Sequence, residues 1–234
     1  PRFTYRGFRY AEVTGLPAEP TIDTLVARVA HTDAPWTGEF ACSSDVINAV
    51  QHNIQWGQRS NMHSVPTDCP QRDERLGWMG DGLIFMETAC WNMDWQSFME
   101  KWTTDMADSM TPEGAFTDVA PSGPRGPAAP GWGDAGVLTP YVVWLYYGDE
   151  TIIERNYESM RSWVEYMRQR APGDLYEREG YGDWIAVVGS PAKPIGAAYY
   201  YFSTRLLAEM AGVLGRTDDR AEYTALAEDI KAAF

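Results

Sequence analysis

From Val65 to Asp81 the chain reads VPTDCPQRDERLGWMGD, with four carboxylates (Asp68, Asp73, Glu74, Asp81), two arginines (Arg72, Arg75) and Trp78 within 17 residues. Carboxylates at this density oppose one another's ionisation and raise the pKa of at least one, unless a guanidinium intervenes. A carboxyl kept protonated near neutral pH is what a general acid requires. Trp78 lies four residues beyond Glu74 and offers an apolar wall that would desolvate it. A solvated, salt-bridged loop beside a helix cap accounts for the same residues, so both readings stand at this point.

Other reactive groups carry less. Cys69 sits in the same loop with His63 near it in sequence, but nothing else supports a thiol mechanism, and packing is the simpler role. His63, Asp68, Asp73 and Asp81 have no recognisable metal-ligand spacing, so neither a metal nor a cofactor is expected. His31 and His52 read as surface or helix residues. Trp78, Trp132 and Trp184 each lie in a glycine-rich loop beside an aspartate, a setting suited to the flat face of a sugar. Asp118, Asp134 and Asp183 are further carboxylates on such loops, and none is assigned as a base. Asp218-Asp219 is most simply a helix cap.

These loops need elements to hold them. Phe3 to Val13 alternates and is rich in aromatics, and Leu25 to Ala30 is a short apolar run, so both read as strands. Two strands alone cannot bury a face, so residues 1–36 read as the last strands of a β domain and a linker. From residue 37 the apolar period becomes helical. Helices are expected from the Ser43-Ser44-Asp45 cap, with Val46, Ile47, Val50, Ile54 and Trp56 at helical spacing, and over Gly82–Trp91, Asp94–Met110, Asp134–Tyr147, Glu150–Arg170 and Ile195–Leu214. A seventh starts at Asp218-Asp219. Trp95, Phe98, Trp102 and Met106 form a core stripe; Ile153, Tyr157, Met160, Val164 and Met167 form another; Trp144 and Trp163 are core by default. Pro140 is a candidate kink. Short connections (Asn92-Met93, Gly148-Asp149) alternate with long Gly-, Pro- and Trp-rich ones (Ser64–Gly80, Thr111–Gly133, Ala171–Pro194). That alternation suggests a toroid of helical hairpins whose working face is built from the long loops. Seven helices do not close such a ring, so the chain is expected to be part of a larger one.

The segment Thr67-Asp68-Cys69-Pro70-Gln71-Arg72-Asp73-Glu74-Arg75-Leu76-Gly77-Trp78-Met79-Gly80-Asp81 closely resembles the signature of the bacterial α-L-rhamnosidases of glycoside hydrolase family 78. Tyr5–Tyr10 with Val13–Leu16, Trp56–Asn61, Pro130–Ala135 and Tyr181–Trp184 also resemble segments of that family, so the likeness runs over essentially the whole chain. It implies a mainly α fold: an incomplete (α/α)6 barrel of about seven of twelve helices over 37–234, preceded by the last strands of a β-sandwich. It implies hydrolysis of terminal α-L-rhamnosides with inversion, for which an acid and a water-activating base stand roughly 6.5–9.5 Å apart. By place in the motif, Glu74 corresponds to the general acid, Asp68 and Asp81 to carboxylates that hold rhamnose hydroxyls, and Trp78 to a pocket wall. Arg72 corresponds to a residue that orients the cluster, and Trp132 and Trp184 to further pocket aromatics. The family's base is a glutamate on a later part of the barrel that no residue here matches, so little or no activity is expected of these 234 residues alone. Another (α/α)6 glycosidase, or a sugar-binding segment without turnover, fits the same loops.

Composition narrows the partners. Lys and Arg number 19 against 33 Asp and Glu, a net charge of −14, and no basic run occurs. Nucleic acid and anionic membrane surfaces are thereby disfavoured. The longest apolar runs fall short of the ~20 residues that span a bilayer. Three cysteines without a pairing pattern (Cys42, Cys69, Cys90) favour a reducing compartment such as the cytoplasm. The expected partner is a rhamnose-containing glycoside or oligosaccharide.

Overall fold

The computed structural model describes residues 4–121 and 126–234. Among the described residues seven α-helices carry the fold: α1 (Asp45–Asn61), α2 (Met79–Asn92), α3 (Gln96–Asp108), α4 (Ala135–Tyr147), α5 (Glu150–Arg168), α6 (Ala192–Val213) and α7 (Thr217–Ala233). Two two-residue strands, β1 (Met62–His63) and β2 (Val65–Pro66), form a small antiparallel hairpin after α1.

The ends of these helices follow from local chemistry. Asp149 precedes α5, and its carboxylate accepts the Thr151 N–H at 2.9 Å, satisfying one of the donors a helix start leaves unpaired. Gly148 ends α4 at φ 69°, a left-handed conformation that costs glycine little, and returns its N–H to the Trp144 carbonyl. Gly215, also left-handed, ends α6: its N–H reaches the Gly212 carbonyl, and the Arg216 N–H reaches the Ala211 carbonyl at 2.8 Å. This paired closure is the Schellman arrangement. Pro140 does not interrupt α4, which runs through it.

Short connections turn α2 into α3, α4 into α5 and α6 into α7, making three helical hairpins. Helices α2, α4 and α6 pack in sequence as one row, with α3 and α5 packed as the row beside it. The long connections therefore all emerge at the same end. The core between the rows is dominated by aromatic and methionine side chains, among them Met79, Met86, Trp95, Met99, Trp102, Tyr157, Met160 and Trp163, all fully buried. Both expected core stripes are buried, on α3 and on α5.

One expectation fails. Among the described residues, those before α1 form no strand ladder. Trp36 makes one isolated antiparallel bridge to Met93, while Ile22, Leu25, Val26 and Val29 stand in solvent. A strand is held by hydrogen bonds from a neighbour, and the described residues supply no neighbour for Tyr5–Val13 or for Leu25–Ala30. Phe3 lies outside the described residues, as do residues 122–125 of the Thr111–Gly133 loop. The expected first helix forms as α1, with much of its apolar side uncovered. Val46, Ile47 and Val50 are exposed, and Gln58 is the buried residue of that helix.

Candidate active site

The loop after α1 is closed on itself by backbone. Thr67 bonds the Asn61 carbonyl through both its N–H (2.6 Å) and its hydroxyl (2.7 Å). Asp68 gives its N–H to the Leu76 carbonyl at 3.0 Å, and its carboxylate takes the Leu76 N–H at 3.1 Å. Residues 68–76 thus form a ring, with Arg75 left-handed at φ 50° and its guanidinium on the carbonyls of Pro70 and Tyr5. The chain then meets the Thr111–Gly133 loop. Trp78 bridges Val119, and Met79, the first residue of α2, gives its N–H to the Asp118 carbonyl at 2.9 Å. The contact is close: a Cβ on Gly77 would lie 2.1 Å from the Ala120 carbonyl oxygen, and one on Gly80 would lie 2.6 Å from the Trp132 ring. Only glycine lets α2 start against these neighbours.

All seven residues singled out in the sequence line one cleft of about 370 Å³: Asp68, Arg72, Glu74, Trp78 and Asp81 from the ring and α2, and Trp132 and Trp184 from two later loops. Cys69 and Tyr181 complete its lining. Trp184 is the most open of the aromatics, at 65 % exposure.

The electrostatics differ from the sequence reading at one point. Trp78 does not desolvate Glu74; its indole N–H donates to Glu74 Oε1 at 3.0 Å, and Arg72 Nη2 lies 2.7 Å from Oε2. The Trp78 hydrogen bond, with Arg72 behind it, holds the Glu74 carboxyl below the usual range. The carboxyl pushed up is Asp81, raised by burial and then by the negative charge of Asp68 and Glu74, although it sits in the first turn of α2, where the helix dipole favours an anion. Crowding therefore acts on Asp81, where no guanidinium intervenes.

Ligand atoms of Asp68, Cys69 and Glu74 come within 4.8 Å of one another. The Arg72 cation on Glu74 opposes a metal ion there, and burial raises the Cys69 thiol, disfavouring the thiolate that metals and electrophiles take. His63 stacks on Tyr5 with ring centroids 3.9 Å apart, so it is engaged elsewhere than with Cys69.

Three loop carboxylates have different stations. Asp134 is fully buried and accepts three hydrogen bonds, from Gly131 N–H (2.8 Å), Trp163 Nε1 (3.0 Å) and Ser203 Oγ (2.6 Å). It fixes the turn that carries Trp132. Asp118 is also buried, accepting the Ala129 N–H (2.9 Å) and the Tyr181 hydroxyl (2.9 Å). Asp183 accepts from the Ser190 hydroxyl at 3.0 Å on an exposed loop. Sequence reasoning gave no role to Tyr181. The only signal was its place in a Tyr-Gly-Asp-Trp turn, where Gly182 is left-handed at φ 62°.

Three helical hairpins with their long loops gathered over a cleft of carboxylates, one arginine and three tryptophans form part of a helical-hairpin toroid. Residues 35–234 match the family described as the bacterial alpha-L-rhamnosidase six-hairpin glycosidase domain, and the chain belongs to that family. It is 45% identical over 236 residues to an alpha-L-rhamnosidase of Streptomyces avermitilis, covering 100% of this chain and 23% of that protein. A second relative, an alpha-L-rhamnosidase of Formosa agariphila, is 33% identical, with 100% of this chain and 26% of that protein covered. The crystal structure of the Streptomyces avermitilis enzyme complexed with L-rhamnose superposes with a TM-score of 0.94, over 100% of this chain and 23% of that one. The alpha-L-rhamnosidase of Dictyoglumus thermophilum superposes at 0.89 with 37% identity, over 94% of this chain and 25% of that one. The chain thus spans about a quarter of the length of these relatives.

Proposed function

We propose that the protein containing these residues hydrolyses terminal α-L-rhamnosides by an inverting acid–base mechanism, with Glu74 as the general acid. One observation carries this reading: Glu74 projects into a cleft walled by Trp78, Trp132 and Trp184 and flanked by Asp68 and Asp81, in a chain of the rhamnosidase family. Rhamnose presents vicinal hydroxyls on one side and a C6 methyl on another. Asp68 and Asp81 suit the hydroxyls as acceptors, and the indole faces suit the methyl and the ring C–H groups. Asp118 and Asp134 are committed to buried hydrogen bonds, and Asp183 lies on an exposed loop. None of them serves as base, and the water-activating carboxylate is assigned to another part of the whole protein.

Glu74 must carry a proton to act, while Trp78 and Arg72 hold it ionised. A bound glycoside supplies what reverses this: it excludes water from the cleft, and the base carboxylate across the ring adds a second negative charge. Behind the Trp78 hydrogen bond, Arg72 is then the charge that helps set how readily Glu74 takes the proton. In Arg72→Gln the cation leaves Oε2, so the Glu74 carboxyl titrates higher and its protonated form persists to higher pH. The alkaline limb of the kcat/KM–pH profile is expected to move upward, and an unmoved limb removes Arg72 from this role.

The full-length protein tested on 4-nitrophenyl glycosides is expected to turn over the α-L-rhamnoside in strong preference to glucosides and uronides, releasing β-L-rhamnose by NMR. Preference for another sugar, retention of configuration, or rhamnose binding without turnover overturns the proposal.

A further inference from the structure

The aromatic walls of the cleft come from three separate stretches of chain: Trp78 at the start of α2, Trp132 in the loop before α4, and Trp184 in the loop before α6. One ring touches all three. The Tyr181 ring centroid lies 5.5 Å from that of Trp78 at 83°, 4.7 Å from that of Trp132 at 59°, and 6.0 Å from that of Trp184 at 85°. These are the edge-to-face and tilted geometries that aromatic quadrupoles favour, and they fix relative orientation as well as distance.

The same three stretches converge on Asp118. Its carbonyl takes the Met79 N–H at 2.9 Å, next to Trp78. One carboxylate oxygen takes the Ala129 N–H at 2.9 Å, and Ala129 in turn accepts the Trp132 N–H at 3.0 Å. The other carboxylate oxygen takes the Tyr181 hydroxyl at 2.9 Å. Asp118 is only 3 % exposed, so these bonds are shielded from competing water.

We infer that Asp118 and Tyr181 are positioning residues of the sugar site, one tying together the three stretches that carry the tryptophans and the other setting the angles of the three rings. Through Trp78 the arrangement reaches the acid itself, because the Trp78 indole N–H is the donor on Glu74 Oε1. The inference rests on the proposed rhamnosidase reading for its substrate.

Tyr181→Phe in the full-length protein keeps the ring and removes the tether to Asp118. KM for 4-nitrophenyl α-L-rhamnoside and the calorimetric Kd of L-rhamnose are expected to rise together by about 3- to 10-fold, the effect of one lost hydrogen bond. kcat is expected to change less. The alkaline limb of the pH profile moves upward as the Trp78 bond to Glu74 loosens. Asp118→Asn keeps one acceptor for Ala129 and offers the phenol oxygen a donor, so its rise in KM is expected to be smaller than that of Asp118→Ala. A merely structural role would lower the folded fraction, which reduces apparent kcat but moves neither KM nor the pH limb. Active unsubstituted protein whose Tyr181→Phe and Asp118→Ala variants keep its KM, Kd and pH profile overturns the inference alone. Unsubstituted protein that neither binds nor cleaves rhamnosides overturns the rhamnosidase reading and this inference with it.

Discussion

Glu74→Gln in the full-length protein lowers kcat/KM on an alkyl α-L-rhamnoside by about 10²- to 10⁴-fold, the usual contribution of a positioned general acid. The loss shrinks steeply along a series of aryl rhamnosides as the leaving group becomes more acidic, because a phenolate that departs unaided needs no proton. Glutamine preserves the acceptor for the Trp78 indole N–H at 3.0 Å and gives up the contact with Arg72 at 2.7 Å, so the cleft keeps its shape while losing its transferable proton. KM on the activated substrates is accordingly expected to stay near its original value. Steady-state kinetics on the leaving-group series separates this from simple damage. A uniform loss across the series, or near-normal rates on the alkyl substrate, removes Glu74 from the acid role.

The second large effect concerns stability. Asp134→Ala strips the buried acceptor from the Gly131 N–H, the Trp163 indole and the Ser203 hydroxyl at once. Donors left unpaired in a dry interior cost about 1–3 kcal/mol each, and relaxation recovers part, so a loss of about 3–5 kcal/mol is expected. Denaturant titration of the full-length protein followed by calorimetry reads it as a lowered midpoint of the helical domain. Asp134→Asn is milder: its amide oxygen still serves Trp163 and Ser203, while its NH₂ faces the Gly131 N–H, leaving one donor opposed by another. The pH dependence has a definite sign. Burial raises the Asp134 carboxyl, so its contribution is complete below the ordinary aspartate range and declines as pH rises through the raised value. Asp134→Asn is expected to flatten that decline, and an unchanged pH–stability slope would remove Asp134 as its source.

Asp134 also shows where sequence reasoning stops. Its position beside Trp132 suggested a carboxylate facing a ligand, whereas it is one of the most deeply buried groups in the molecule. Asp118 behaves the same way. Each is held by partners far along the chain, Ser203 in one case and Tyr181 in the other, and no local pattern marks such pairings. Trp78 was legible as part of the site, but not as a hydrogen-bond donor to Glu74, since that depends on the turn between them and not on their spacing.

Local physics made much of the fold readable. Helix α5 begins at a capping aspartate, α4 and α6 stop at glycines whose left-handed backbone costs them little, and the apolar period of α3 and α5 places Trp95, Trp102, Tyr157 and Trp163 in the core. These are interactions within a few residues, so the sequence alone determined them, together with the family likeness carried by Thr67–Asp81. Ladders and buried faces are different, because each needs a second segment to complete it. Residues 5–13 and 25–30 have strand composition but no neighbour to pair with among the described residues, and Val46, Ile47 and Val50 on the apolar side of α1 stand exposed. Tertiary structure alone decided that Tyr181 and Asp118 join three loops into one cleft, and that Arg72 and Trp78 share the two oxygens of Glu74. Distance along the chain hides the first of these from sequence, the local turn between Arg72 and Trp78 hides the second, and only folding brings the groups close enough to bond.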